Sequence, residues 1–148
     1  MGLYDWKPEY SIGCPPIDLQ HKQMFRMAAE LHHAMVNNEG PEVTNGMIER
    51  GVAYVRFHFA SEERMMLESG FPGYEDHRAG HEKQMEELVA FQEKAKARKG
   101  PITMEMIGFL RDWLVPHIQE SDRDVGMYLS APLAIRSVPE LDDAKLTV

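Results

Sequence analysis

Residues 44–98 read TNGMIERGVAYVRFHFASEERMMLESGFPGYEDHRAGHEKQMEELVAFQEKAKAR. Ile48, Val52, Val55, Phe59, Glu62 and Met66 recur at three- and four-residue steps, the spacing of one face of an α-helix. Tyr74, His77, His81, Leu88 and Phe91 repeat the pattern after a break at 69–73, where Gly70, Pro72 and Gly73 end one helix and release the next. A link that short makes the two helices antiparallel neighbours. Nothing in the stretch alternates with the period of two that a strand needs.

The same spacing extends in both directions. Upstream, His21, Phe25, Ala28, Leu31 or His32, and Met35 mark a helix over about 18–36, with Asp18 as its N-cap. Downstream, Met106, Leu110, Trp113, His117 and Val125 mark a fourth over about 103–129. The helices over 44–68 and 74–98 lie between them. Pro8, Pro15, Pro16, Pro41, Pro72, Pro101, Pro132 and Pro139 read as breakers between segments. The fold class is therefore all-α: an up-down-up-down four-helix bundle as one domain, 1–129. An N-terminal arm, 1–17, carries Tyr4, Trp6, Tyr10 and Ile12, and a C-terminal extension follows at 130–148.

Composition narrows the function. At 148 residues the chain can bury a core without staples. Its net charge of −8 repels phosphate backbones, so no nucleic acid is expected. The one cysteine, Cys14, makes no internal disulfide, which fits a reducing compartment; a cytoplasmic location is expected. No apolar run approaches a membrane span. Seven histidines and 11 methionines stand out. Methionine is ordinary core filler, but imidazole is a common metal ligand.

At 1.5 Å rise per residue, most of those histidines fall at one level. His21, Glu62, His77, His81 and Asp122 lie roughly 5–10 Å from the shared bundle end, and His58 and His117 roughly 15–18 Å from it. His58 and Glu62 stack at i,i+4, and so do His77 and His81. One inward histidine is usually a hydrogen-bonded core residue, and Glu62 alone would read as a surface charge. Five histidines and two carboxylates at one level bury too much polarity without a cation. His32 reads as a boundary residue and His33 as solvent-facing. Without cysteine ligands, structural zinc and iron–sulfur clusters are disfavoured. Imidazole with bridging carboxylate suits a pair of iron or manganese ions. A ferritin-type site needs two Glu-x-x-His motifs, and the one here, Glu30 to His33, lies away from the cluster. His117 and Asp122 are five apart, about 140° round a regular helix, so periodicity alone would select Ser121.

Taken in order, Asp18-Leu19-Gln20-His21-Lys22, His58-Phe59-Ala60-Ser61-Glu62-Glu63, His77-x-x-x-His81 and Trp113-Leu114-x-x-His117-Ile118-x-x-x-Asp122 resemble the hemerythrins, in particular the single-domain bacterial form. Tyr4-Asp5-Trp6 and Ile12 through Asp18 are similar to that family's arm. The resemblance spans about Tyr4 to Leu129 and implies a four-helix bundle with a non-haem di-iron centre that binds O₂ reversibly. It implies that His77, His81 and His117 bind one iron, and that His21 and His58 bind the other and leave a position open. Glu62 and Asp122 would bridge the two Fe²⁺/Fe³⁺ ions beside an oxo or hydroxo group. The expected function is O₂ storage, transport or delivery, with O₂ as the ligand, no catalytic side chain and a monomeric chain. An O₂-consuming partner enzyme is left unidentified. The alternatives are a redox enzyme acting on peroxide or nitric oxide, and an O₂ or iron sensor. Phe25, Phe59, Trp113, Leu114 and Ile118 are the expected apolar O₂ pocket, with Leu114 and Ile118 the first candidates for gating. Pro116 lies inside helix four and removes a backbone donor; a kink there is expected to rotate His117 relative to Asp122.

Overall fold

The computed structural model describes residues 4–100 and 102–130. Of the C-terminal extension, 130–148, residues 131–148 lie outside the described residues. Four helical segments pack as an antiparallel bundle: α1 (Pro15–Val36), α2 (Pro41–Ser69), α3 (Tyr74–Ala97) and a fourth built from α4 (Met104–Pro116), a π-helical turn (His117–Ser121) and α5 (Arg123–Ser130). A 3₁₀ turn, Pro8–Tyr10, lies in the arm. No helix among the described residues is long and apolar enough to cross a membrane.

The helix starts correct the reading of several prolines. Pro15, Pro16 and Pro41 open helices instead of separating them, at first-turn positions where a missing N–H costs nothing and the fixed φ is already helical. Cys14, not Asp18, is therefore the N-cap of α1. Asp18 ties down the arm: Oδ1 accepts from the Ile12 amide at 2.9 Å and Oδ2 from the Ser11 hydroxyl at 2.6 Å. Its charge in the first turn also complements the helix dipole. α2 ends on Gly70 at φ 71°, a left-handed cap that suits glycine. At the start of α4, the Thr103 hydroxyl accepts from the Met106 amide at 3.2 Å, an N-cap bond.

The interior has two parts. Leu31, Ile48, Val52, Val55, Leu88, Phe91, Met106 and Ile107 fill one half. The other half contains His21, His58, Glu62, His81, His117 and Asp122, all buried, closed off below by Ile17, Met66 and Val125 at zero exposure. Each fully buried Ile or Met there contributes about 1.5–3 kcal/mol of transfer free energy, which offsets the cost of the polar groups. The arm lies against the bundle: Tyr4, Tyr10 and Ile12 are buried, and the Tyr4 hydroxyl donates to the Ile107 carbonyl at 2.5 Å. Burial pushes that phenol up to about 12. Trp6 and Tyr10 pack on Phe25.

Candidate metal centre

Helix four decides how the site is assembled. At Pro116 the regular bonding gives way, and the Asp122 amide donates to the His117 carbonyl at 3.1 Å, an i to i+5 bond. The π turn takes up one extra residue. Asp122 thus comes onto the face of His117, which an unbroken helix would have given to Ser121. The expected irregularity at Pro116 is present, and its form is a π turn.

All seven residues singled out by the sequence come together. Two groups of atoms form, each with its members within 4.8 Å of one another: His21, His58, His117 and Asp122, and Glu62, His77, His81 and Asp122. Each carboxylate spans both groups. Asp122 Oδ2 lies 2.8 Å from His21 Nε2, 3.0 Å from His117 Nε2 and 3.4 Å from His58 Nε2, while Oδ1 lies 3.1 Å from His77 Nε2. Glu62 Oε1 contacts His77 Nε2 and lies 3.4 Å from His81 Nε2, while Oε2 lies 3.4 Å from His58 Nε2.

The partition differs from the resemblance at His117. Its Nε2 lies with His21 and His58, 3.4 Å from His58 Nε2, and not with His77 and His81. The cause is Asp122 Oδ2, an oxygen shared by three rings, beside which the π turn sets His117.

The donor chemistry fits a pair of hard cations. An oxygen with two lone-pair sites cannot accept well from three Nε2 atoms at once. Among the described residues, five buried side-chain nitrogen or oxygen atoms lack a hydrogen bond of good geometry, and three of them face the middle of this cluster: Glu62 Oε2, His81 Nε2 and Asp122 Oδ1. Such buried polar atoms are rare, and three facing one another among ligand-type residues mark a place for ions.

The electrostatics agree. Burial would raise the Asp122 carboxyl, but the charge of His117 and hydrogen bonds from His117, His21 and His58 hold it well below the usual carboxylate range. Glu62 is likewise lowered: burial and the Asp122 charge push it up, and hydrogen bonds from His77 and His81 outweigh them. Burial opposes protonation of His77, yet its hydrogen bonds to Asp122 and Glu62 raise it to about 10. Both carboxylates are therefore anionic at neutral pH, and a cation would displace a proton from His77.

Three partners behind the rings escaped the sequence reading. His58 Nδ1 donates to Gln20 Oε1 at 2.7 Å, His117 Nδ1 to Gln84 Oε1 at 3.1 Å, and His81 Nδ1 to Glu63 Oε2 at 2.9 Å. Gln20 is itself oriented by donating to the Ser61 hydroxyl at 3.0 Å. Such bonds fix the tautomer and point Nε2 inward. The available signal was a polar residue beside or one turn from each histidine: Gln84 stands three after His81, on its face.

The five expected pocket residues are buried but do not share one surface. Trp113 and Leu114 line an apolar cavity of about 70 Å³ with Met24, Leu31, Val55 and Leu110 among others. Met24, Val55 and Leu114 stand three residues from His21, His58 and His117, so the cavity adjoins that group. It has room for a diatomic molecule and too few polar partners to hold water well. Phe59 stacks on His81 at 4.0 Å and 5°, and Trp113 on His117 at 5.6 Å and 12°. Phe25 faces the arm, stacked on Tyr10, and Ile118 is fully buried; neither lines the cavity. His32 meets Tyr4 edge-on and His33 contacts Asn37 at the surface, both outside the cluster.

A family model described as the hemerythrin HHE cation binding domain matches residues 16–129. The bacteriohemerythrin of Methylococcus capsulatus is 32% identical over 132 residues, covering 88% of this chain and 100% of that protein. The myohemerythrin of Theromyzon tessulatum is 26% identical over 119 residues, covering 80% and 88%. A solved wild-type hemerythrin superposes with a TM-score of 0.76 at 30% identity, covering 86% of this chain and 98% of that one. A single-site mutant of hemerythrin gives a TM-score of 0.79, also at 30% identity, over 88% and 100%.

Proposed function

The chain belongs to the hemerythrin family, and on that premise we propose that it binds O₂ reversibly at a pair of iron ions, as an O₂ carrier or store and not as an enzyme. The observation that carries the reading is the double span of the carboxylates: Glu62 and Asp122 each offer one oxygen to either histidine group. Two carboxylates so placed would offset the charge of two cations, and neutral imidazoles would complete the ligand set. His21 and His58 would hold one ion and His77 and His81 the other, Glu62 and Asp122 would serve both, and His117 would complete the set. Bound there, an iron pair supplies the affinity for O₂ and the two electrons that reversible binding draws on.

The remaining work belongs to the chain. Gln20, Gln84 and Glu63 hold the Nδ1 protons of three rings and keep each Nε2 aimed inward. Phe59 and Trp113 fix the planes of His81 and His117 by stacking. Leu114, Trp113 and the rest of the apolar cavity exclude water from the His21–His58 side, the side to which O₂ is delivered. Excluding water there keeps stray protons and reductants from the bound gas.

The test is anaerobic reduction of the iron-loaded chain followed by air, watched by visible absorption, with metal analysis beside it. Two irons per chain and an absorption band that appears with O₂ and disappears on its removal support the proposal. Irreversible bleaching with turnover of peroxide or nitric oxide replaces it with catalysis. One zinc per chain overturns it.

A further inference from the structure

The rings of the centre are not backed alike. Behind His58 and His117 stand neutral amides, Gln20 and Gln84; behind His81 stands a carboxylate, Glu63. Glu63 follows Glu62 by one residue, so it turns about 100° round α2 and reaches the outer edge of the same ring whose inner edge Glu62 faces. Its side chain is 24% exposed, whereas that of Glu62 is fully buried. Its second oxygen lies 3.9 Å from Arg78 Nε, and Arg78 in turn lies 3.5 Å from Glu82. The His81 ring has no freedom to evade the contact: Phe59 covers its face at 4.0 Å, and its Nε2 lies 3.4 Å from Glu62 Oε1.

A carboxylate differs from an amide behind an imidazole by a full negative charge. It draws the Nδ1 proton outward, leaves more electron density on Nε2, and makes the ring a stronger donor to a metal of higher charge. We propose that Glu63 is a positioning residue for His81: through that ring it favours the ferric state on the His77–His81 side, opposite the apolar cavity. This rests on the iron-pair reading of the site. Glu62 and Asp122 span both groups, whereas Glu63 touches one ring of one group. The side with the amide-backed rings, against which the cavity lies, then has no such bias.

The experiment uses the full iron-loaded chain and a redox titration followed by visible absorption, with iron content measured on each sample. Glu63→Gln preserves an acceptor for the His81 proton and removes the charge. It should retain two irons per chain and lose about tenfold of the ferric preference, a midpoint roughly 59 mV higher for one electron. Gln84→Glu places a carboxylate behind His117 and should move the midpoint down by a comparable amount. Glu82→Gln removes the same charge from the same surface without touching a candidate ligand, and its midpoint should match the wild type. A wild-type chain that binds an iron pair while Glu63→Gln leaves the midpoint unchanged overturns this inference alone. A shift in Glu82→Gln equal to that in Glu63→Gln also overturns it, because the effect is then general surface charge. Should Glu63→Gln fail to load, Gln84→Glu decides: a lower midpoint supports the mechanism, and an unmoved one overturns it. A wild-type chain that binds no iron pair overturns the reading of the site itself.

Discussion

Replacing Gly126 with alanine sets two effects against each other, and the structure says which wins. Gly126 lies in α5, four residues after Asp122, and its amide donates to the Asp122 carbonyl at 2.9 Å. Helix propensity alone favours alanine by about 0.8–1.0 kcal/mol. A Cβ at this position, however, would lie 2.3 Å from the Ile12 carbonyl oxygen and 2.6 Å from the Ile12 Cβ, where ordinary contact begins at 3.4 Å. Arm and helix must therefore separate by about 1 Å. The arm resists, because Asp18 holds the Ile12 amide, the Tyr4 hydroxyl holds Ile107, and Ile12 itself is buried. Overpacking of this kind costs about 1–3 kcal/mol, and detaching Ile12 would cost a similar amount in lost burial. Less the propensity gain, the expected net loss is about 0–2 kcal/mol, a fall in Tm of up to roughly 8 °C for a chain of this size, and a larger fall relative to a glycine with free space around it. Gly108→Ala is the matched control: it lies in α4, where an added Cβ meets nothing within 4 Å, so only the propensity gain remains. Thermal unfolding of both metal-free variants by circular dichroism gives the comparison, and iron retained after dialysis shows whether the displaced α5 carries Asp122 with it. A Gly126→Ala chain that melts at or above Gly108→Ala refutes the reasoning.

Three further outcomes are expected. Asp122→Asn keeps the shape of the shared oxygen and removes its charge, so iron retention should weaken at least tenfold; two irons surviving gel filtration would remove Asp122 from its bridging role. Leu114→Ala enlarges the apolar cavity one turn before His117, costs about 2–5 kcal/mol of stability, and should speed autoxidation or azide binding; unchanged stopped-flow kinetics would refute the gating assignment. The metal-free chain should lose stability at both ends of the pH range. His77, raised from 6.5 to about 10, contributes fully below 6.5 and loses that contribution as pH rises toward 10, whereas Asp122 and Glu62, both lowered, contribute above the usual carboxylate range and lose it as pH falls through their folded values. His77→Gln should abolish the alkaline fall in Tm, and a fall that persists would assign it elsewhere.

The bundle was legible in the sequence because its three- and four-residue stripes are long and the links between them short. The misread boundaries have one cause. Pro15, Pro16 and Pro41 look like breakers until their position in a first turn is known, and a first turn is a matter of one residue. Six of the seven clustered residues were legible from helix spacing and bundle level together. Asp122 was legible from its level alone: the face it takes depends on a π turn, and an i to i+5 bond leaves no periodic mark in a single sequence. Gln20, Gln84 and Glu63 were hidden differently. A polar residue beside a buried one ordinarily points to water, and only the distance to Nδ1 shows that these three do not. Proximity along the helices groups the pocket residues as one set, whereas Phe25 turns to Tyr10 and Trp6 because the arm supplies aromatic partners from outside the bundle.

The places where local rules fail are the same places where the candidate centre is built. A glutamate occupies an apolar stripe at 62, a proline interrupts helix four at 116, and a five-residue spacing replaces four at 122. Each departure costs stability on its own: a buried charge, a lost backbone bond, a helix wound out of register. Random drift would scatter such costs along the chain. Here Pro116 allows the turn that lets Asp122 reach His117, and Asp122 then meets Glu62 across the interior, so the third departure depends on the second and answers the first. Restoring regularity at one point would not recover stability. A helix four that kept four-residue spacing would present Ser121 to three imidazoles and leave Glu62 as the lone carboxylate for both groups. The two carboxylates and the π turn therefore stand or fall together, and that interdependence is what a site for two cations requires of a fold whose own preference is a dry core.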